Sequence, residues 1–300
     1  MIILDTNNTL IESCITSKYN SLQEEPNKLH YFEEFFSDFD RTTYKVNLKD
    51  KNSSTIQLSI KLNCIDQLKN HNLINHLQNI YGDLLLAEPI EGYSITLEVD
   101  LRSLNENFDF LLKKLSNLKR NCFASVFVKH FEMQKNGEAS PVTRIDHREN
   151  ESIFIKSYAD HVTIVYSTQF RDINDLKISK VFMQEFVEAR RKFENAPLVF
   201  YSAKSPPSEI ADAAEEGDTL AYISFSLQPR HTNEKNREKS IDLIFMIRNY
   251  IFYHLKCTKA HLQMRMRAKC NDFTKVLNRA HMEEKRGNVV RVLTNDLSEL

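Results

Sequence analysis

The sequence is poor in the glycines from which phosphate-binding loops are built. It has only five glycines in 300 residues, and no two of them lie within nine residues of each other. A P-loop or a dinucleotide-binding turn needs closely spaced glycines, because the backbone N–H groups must approach the anion. Both kinds of nucleotide site are therefore excluded for this chain.

Paired cysteines and long apolar runs are also lacking. The five cysteines are widely scattered and form no C-x-x-C pair, which indicates neither a disulfide framework nor a zinc ribbon. We therefore expect a reducing compartment, the cytosol.

No apolar run approaches the roughly 18 residues that a membrane span needs, and the opening apolar run is too short for a secretory signal. We expect no membrane span.

Charge is nearly balanced over the whole chain but unevenly distributed along it. The net charge of −1 argues against a general nucleic-acid coat, because phosphates are usually neutralised by a basic excess. Residues 256–291, however, contain ten basic and three acidic side chains, so this segment carries +7 and the rest carries −8. We interpret the segment as a basic arm that needs an acidic protein polymer, a nucleic acid or an anionic lipid; the alternative is a solvated helix face.

Apolar and polar residues alternate in several short runs, as is typical of antiparallel strands with one buried face. Helical periodicity separates these runs, and the same order of elements occurs twice. We predict an α+β fold, a tandem repeat of two similar antiparallel-sheet-plus-helix domains in residues 1–120 and 121–230. The predicted strands are 44–48, 56–62, 95–101, 153–155, 161–166, 198–201 and 219–228, and the predicted helices are about 8–20, 65–81, 106–133 and 174–195.

The last long segment contains neither proline nor glycine from residue 230 to residue 286. Apolar residues recur there at helical spacing, so we predict a long C-terminal helix over residues 231–286 and a flexible tail over 287–300. Such a helix of about 50 residues is roughly 75 Å long, too long for one small domain to cover. Its apolar stripe predicts a partner helix; a broken helix folded back on its own domain is the alternative. We expect intersubunit or interdomain burial of Ile247, Ile251, Leu255, Leu262, Met266, Phe273 and Leu277.

Two groups of residues contain side chains of the types that bind metals or transfer protons. His254, Cys257 and His261 fall within one arc of the predicted helix at a metal-ligand spacing, but a fourth ligand is missing. We interpret them as packing histidines beside a buried thiol. The charged run 146–149 has no positioned nucleophile and is interpreted as a loop or an edge strand. Nothing in the sequence requires an enzyme, a metal or a cofactor, and an enzyme with an unrecognised site is the alternative.

Five motifs follow one another in a specific order. They are LKRNCFASVF at 118–127, KVFMQEF at 180–186, PRHTN at 229–233, MRAK at 266–269 and KVLNRA at 275–280. With these motifs the chain resembles the family of the 34-kilodalton subunit of the actin-related protein 2/3 complex, the nucleator of branched actin, over about residues 1–282. Segment 20–38 and tail 287–300 depart from the family pattern.

The resemblance implies a non-catalytic core scaffold, two related α+β domains followed by a long helix. It implies pairing with subunit 4 of the complex through long helices, and a core on which the two actin-related subunits sit. It also implies contact with the side of the mother filament, and a location in the cytoplasm at the actin cytoskeleton. Nucleotide binding belongs to the actin-related subunits in this family, which agrees with the missing phosphate loop.

Actin filaments are acidic, so the resemblance gives the basic arm a candidate partner. Which basic residues face the filament and which face subunit 4 stays open. A nucleic-acid- or anionic-lipid-binding module that uses the same helix is the alternative function. The resemblance implies filament contact for Arg267, Lys269, Lys275 and Arg279, with a second patch at Arg190, Arg191 and Lys192.

Overall fold

Two antiparallel sheets, each covered by helices, organise the described part of the chain. The structure is a computed structural model, and it describes residues 5–24, 31–38, 40–50, 53–103 and 108–280. The first sheet has four strands in the order β1-β2-β3-β4, and the second has five in the order β5-β6-β7-β9-β8. Every neighbouring pair is antiparallel. The predicted α+β architecture with a long C-terminal helix is confirmed.

The first half of the chain builds the four-stranded sheet. Val46, Leu58 and Leu97 lie side by side on neighbouring strands and are buried, as the alternating pattern predicts. The elements are α1 (Thr9–Glu24), β1 (Glu33–Ser37), β2 (Thr43–Leu48), β3 (Thr55–Lys61), α2 (Ile65–Lys69), α3 (Leu73–Tyr81), β4 (Ile95–Asp100) and α4 (Phe108–Ser116).

Two helices predicted in this half are interrupted in the structure. The predicted helix 65–81 is divided into α2 and α3, because Asn72 adopts a left-handed conformation with φ 64°. Asparagine tolerates this conformation better than most residues, so it ends a helix without proline or glycine. The predicted helix 106–133 is likewise two helices, since a turn at Asn117 separates α4 from the next helix.

The second half builds the five-stranded sheet around one central helix. Twelve of the 18 residues of α5 are buried, including the polar side chains Arg120, Asn121, His130 and Gln134. Phe154, Val165 and Tyr222 lie on the outer face of the sheet, where Ile210 of the 204–219 loop covers them. The elements are α5 (Leu118–Lys135), β5 (Thr143–Arg148), β6 (Glu151–Ser157), β7 (Val162–Gln169), α6 (Ile173–Arg190), β8 (Leu198–Ala203) and β9 (Leu220–Leu227).

The long C-terminal helix begins later than predicted. A single helical turn, α7 (Pro229–Thr232), is followed by α8 (Arg237–Ala280), a continuous helix of 44 residues. Asn233 separates them: its backbone is extended, and its side-chain oxygen accepts a hydrogen bond from the N–H of Asn236 at 3.0 Å. This side chain competes with the helical backbone and caps the next helix instead.

The contacts divide the chain into two compact units, residues 1–250 and residues 251–300. Both sheets belong to the first unit, and the predicted boundaries between residues 1–120 and 121–230 stay a prediction. In the second unit α8 continues unbroken to residue 280, so the broken helix considered as an alternative is wrong over this range. The predicted helix end at 286 and the predicted tail 287–300 lie outside the described residues.

Candidate functional site

The first turns of α8 are anchored in the first unit by a buried arginine of α5. Arg120 is 6% exposed, and its guanidinium donates to the Asp242 carboxylate at 2.7 Å and to the backbone carbonyl of Glu238 at 3.0 Å. The Glu238 carboxylate lies 2.9 Å from the same guanidinium. A planar guanidinium suits such a paired arrangement, because its five donors form a rigid fork.

A second ion pair holds α8 at Arg248, six residues after Asp242. Arg248 donates two hydrogen bonds of 2.8 Å to the carboxylate of Glu151 at the start of β6. Glu151 is 5% exposed, and the Arg148 guanidinium lies 3.8 Å from it. Between the two ion pairs, the hydroxyl of Tyr166 donates to the backbone carbonyl of Ile244 at 2.8 Å. The start of the helix is thus fixed by both charge and hydrogen bonding.

The apolar stripe of α8 changes from buried to exposed along its length. Ile247, Ile251 and Leu255 are buried, each at 7% exposure or less. Further along, Leu262 is 42% and Phe273 is 70% exposed. Met266 and Leu277, the other predicted contact residues, are also more than half exposed. A 44-residue helix with large apolar side chains in solvent presents an unpartnered surface.

The basic residues predicted on this helix are all exposed. Arg267, Lys269, Lys275 and Arg279 lie in the range where every described side chain is exposed. Asp272 is 3.7 Å from Lys269 and 3.8 Å from Lys275, distances at which exposed charges contribute little to stability. The structure therefore leaves these four cations available to a partner.

The three basic residues of the second patch differ from one another. Arg190 donates to the carbonyls of Ala196 and Pro197, so it is half-buried in the turn after α6. Arg191 forms an exposed ion pair with Glu188 at 3.0 Å, and Lys192 is exposed. Of the three, only Arg191 and Lys192 present their charges at the surface.

The residues considered for a metal site and for acid–base chemistry lie on α8 and at the end of β5. Among the residues that the structure describes, no group of three or more histidine, cysteine, aspartate or glutamate side chains is placed to hold a metal. Cys257 is exposed, so its interpretation as a buried thiol is wrong: the helix leaves this position in solvent. Asp146 lies on the edge strand β5 and accepts from the hydroxyl of Ser152 at 2.6 Å. Burial, together with Arg148 and Arg248, lowers the pKa of His147 to about 3.

Sequence reasoning missed the residues that anchor α8. Arg120 lies within the motif 118–127, but its partner Asp242 is 122 positions away, and no local pattern connects them. A buried arginine requires a carboxylate partner, but the sequence does not indicate that Arg120 is buried, because the polar residues Lys119 and Asn121 flank it.

These features match a known family. The family model described as "Arp2/3 complex, 34 kD subunit p34-Arc" matches residues 58–284, a range that begins within β3 and includes the whole five-stranded sheet and the exposed part of α8. The chain belongs to the p34-Arc family.

Two curated relatives extend this match over nearly the whole length of the p34-Arc chain. The actin-related protein 2/3 complex subunit 2 of Schizosaccharomyces pombe is 34% identical, with 93% of this chain and 94% of the relative covered. The protein of the same name from Dictyostelium discoideum is 32% identical, with 94% of each chain covered. The family identifies the chain as a subunit of the complex, so other subunits are its partners. Within the described residues, no helix is both long and apolar enough to cross a membrane.

Proposed function

We propose that this chain is a non-catalytic core scaffold and filament-binding subunit of the Arp2/3 complex, acting in the cytoplasm at the actin cytoskeleton. In this role it contacts the mother filament during the nucleation of branched actin. The observation that carries the proposal is the exposure, on one helix, of both a large apolar stripe and a basic set of residues.

The apolar and basic residues occupy different sides of α8. At about 100° per residue, Lys275 and Arg279 lie on the side opposite to Phe273 and Leu277. One helix therefore offers an apolar surface for a partner helix and a basic surface for an acidic polymer. We assign the apolar side to subunit 4 and the side of Lys275 and Arg279 to the filament.

The two sides fit the two partners in chemistry. The apolar side chains of α8 lose their contact with water when a second helix covers them, which stabilises the pair. Each exposed basic contact with a filament contributes under about 1 kcal/mol, so the basic residues act collectively. Lys269 borders the apolar stripe, and we place it at the edge of the helix–helix contact.

Filament cosedimentation of the purified complex tests the basic side. The variant Lys275→Glu with Arg279→Glu is expected to weaken binding to filaments about tenfold or more, because two attractive contacts become repulsive. A matched control, Lys235→Glu with Lys239→Glu, makes the same change in charge at exposed lysines outside the basic arm and is expected to bind like wild type. Equal binding by both variants contradicts the assignment. Preferential binding of the wild-type complex to DNA or anionic vesicles favours the alternative module.

A further inference from the structure

A cleft of about 680 Å³ lies within residues 1–250. It is bordered by α3, α4, α5 and the first turns of α8. Volumes of this size are typical of sites for small organic ligands. The cleft is rich in cations: its lining includes Lys113, Lys114, Arg120, Lys129 and Arg237.

Three lysines of this cleft have no carboxylate partner among the described residues. The Lys114 amino group donates to the backbone carbonyl of Ile80 at 3.2 Å and lies 4.7 Å from the ring centroid of Phe110. The Lys129 amino group lies 3.4 Å from Nδ1 of His71, and Lys113 is exposed. Arg120, in contrast, is already paired with carboxylates. The carboxylates of Glu238 and Asp242 in the same lining are paired with Arg120, so the three lysines bring ammonium groups to the cleft that no carboxylate of the described residues pairs with.

Hydrogen-bond acceptors line the same cleft. The side-chain amide of Asn117 donates to the carbonyl of Lys113 at 2.8 Å, which leaves Oδ1 of Asn117 as an acceptor. This Oδ1 and Nε2 of His76 are buried, with no hydrogen-bond partner in the described part of the chain. Burial lowers the pKa of His76, which favours the neutral ring, and Nε2 of that ring accepts a hydrogen bond in the tautomer that carries its proton on Nδ1. The carboxylates of Glu132 and Glu238 add further acceptors to the lining.

A ligand that suits this lining has anionic groups for the lysines and O–H donors for the acceptors. Inorganic phosphate offers few donors, and a simple carboxylate offers none. A phosphorylated polyol carries both kinds of group, and the exposed ring of Phe110 provides an apolar surface beside them. We propose that the cleft between α3, α4, α5 and α8 binds a phosphorylated polyol, either a free sugar phosphate or the headgroup of a lipid.

Calorimetric titration of the purified complex with soluble inositol trisphosphate at physiological salt tests this site. We expect saturable binding with one site per complex, and a loss of tenfold or more in affinity for Lys113→Gln with Lys129→Gln. The matched control Lys177→Gln with Lys180→Gln changes two exposed lysines of α6 and is expected to bind like wild type. A parallel titration with inorganic phosphate is expected to give much weaker binding.

Further measurements distinguish a free sugar phosphate from a lipid headgroup, and binding in the cleft from binding on the basic side of α8. Binding only to vesicles that contain phosphatidylinositol bisphosphate, lost in the Lys113 and Lys129 variant, identifies a lipid headgroup as the ligand. If the complex binds neither inositol trisphosphate nor vesicles that contain phosphatidylinositol bisphosphate, the proposal is overturned. So does binding that is lost in Lys275→Glu with Arg279→Glu but kept in the cleft variant, because the ligand is then on the basic arm. Filament cosedimentation of the same variants is a separate measurement, so failure of this site and failure of the proposed function are distinguishable.

Discussion

At the scale of single residues, Glu151 illustrates how a buried charge depends on its partners. Its carboxylate receives two hydrogen bonds from Arg248 and lies near Arg148, in a place that is 5% exposed. Taking charges out of water is costly, and the pair is favourable only while both partners are present. The nearby Glu149 is different: it forms an ion pair with Arg41 at 2.5 Å, and the side chains of both residues are exposed.

The substitution Glu151→Gln is therefore expected to be strongly destabilising. It removes the buried carboxylate that accepts two hydrogen bonds from Arg248, and loss of one partner of a buried pair costs about 3–5 kcal/mol. Urea unfolding of the full-length chain measures this change in the free energy of unfolding. The matched control Glu149→Gln removes the same charge two positions away and is expected to cost under about 1 kcal/mol. Equal costs for the two variants would show that the buried pair is not an anchor.

At the scale of elements, His130 connects the central helix α5 to the second sheet. Its Nε2 lies 3.0 Å from the hydroxyl of Thr143 on β5, and its Nδ1 lies 3.2 Å from that of Ser157 on β6. Burial, with smaller effects from His71 and Lys129, lowers the pKa of His130 from 6.5 to about 4. The ring is therefore neutral in the folded protein, whereas in the unfolded chain it gains a proton near pH 6.5.

This difference predicts how stability depends on pH. Because the folded pKa is the lower one, the contribution of His130 is fully present above pH 6.5 and is lost as the pH falls towards 4. The loss over this window is on the order of 3 kcal/mol. Unfolding of wild type and His130→Gln across these pH values is expected to show a shallower decline for the variant. Parallel profiles would contradict a buried neutral histidine at this position.

Many of the elements could be predicted from sequence, because local periodicity determines them. The predicted runs 44–48 and 95–101 correspond to β2 and β4 within one residue at each end. Strand β1 was missed, because Glu33 and Glu34 interrupt its apolar pattern and its pairing with β2 is not visible in the local sequence. The helix breaks at Asn72 and Asn233 were missed for a related reason. Asparagine ends a helix through its own conformation and hydrogen bonds, without the signal of proline or glycine.

The exposed part of α8 was predictable, whereas its anchoring was not. The spacing of Leu262, Phe273 and Leu277 places them on one side of a helix, so the apolar stripe can be read from the local sequence alone. The ion pairs of Arg120 and Arg248 join residues that are far apart in sequence. Such contacts depend on the tertiary fold, which periodicity does not report.

At the scale of the whole molecule, this member of the p34-Arc family combines an anchored start of α8 with exposed residues further along the same helix. The ion pairs of Arg120 and Arg248 and the buried residues up to Leu255 stabilise the chain itself. The exposed stripe and the exposed basic residues leave two surfaces for partners, in agreement with its identity as a subunit of a complex. We therefore propose that one side of α8 binds another subunit and that the other side binds the filament.

A tagged pull-down from cytosol, assayed for subunit stoichiometry and for branched actin assembly, tests this claim most directly. Wild type is expected to recover a stoichiometric complex that forms branches. The variant Phe273→Gln with Leu277→Gln is expected to lose subunit 4, while Lys275→Glu with Arg279→Glu keeps the full complex but loses branching. Recovery of the wild-type chain alone, or normal branching by the charge-reversed complex, would contradict the account.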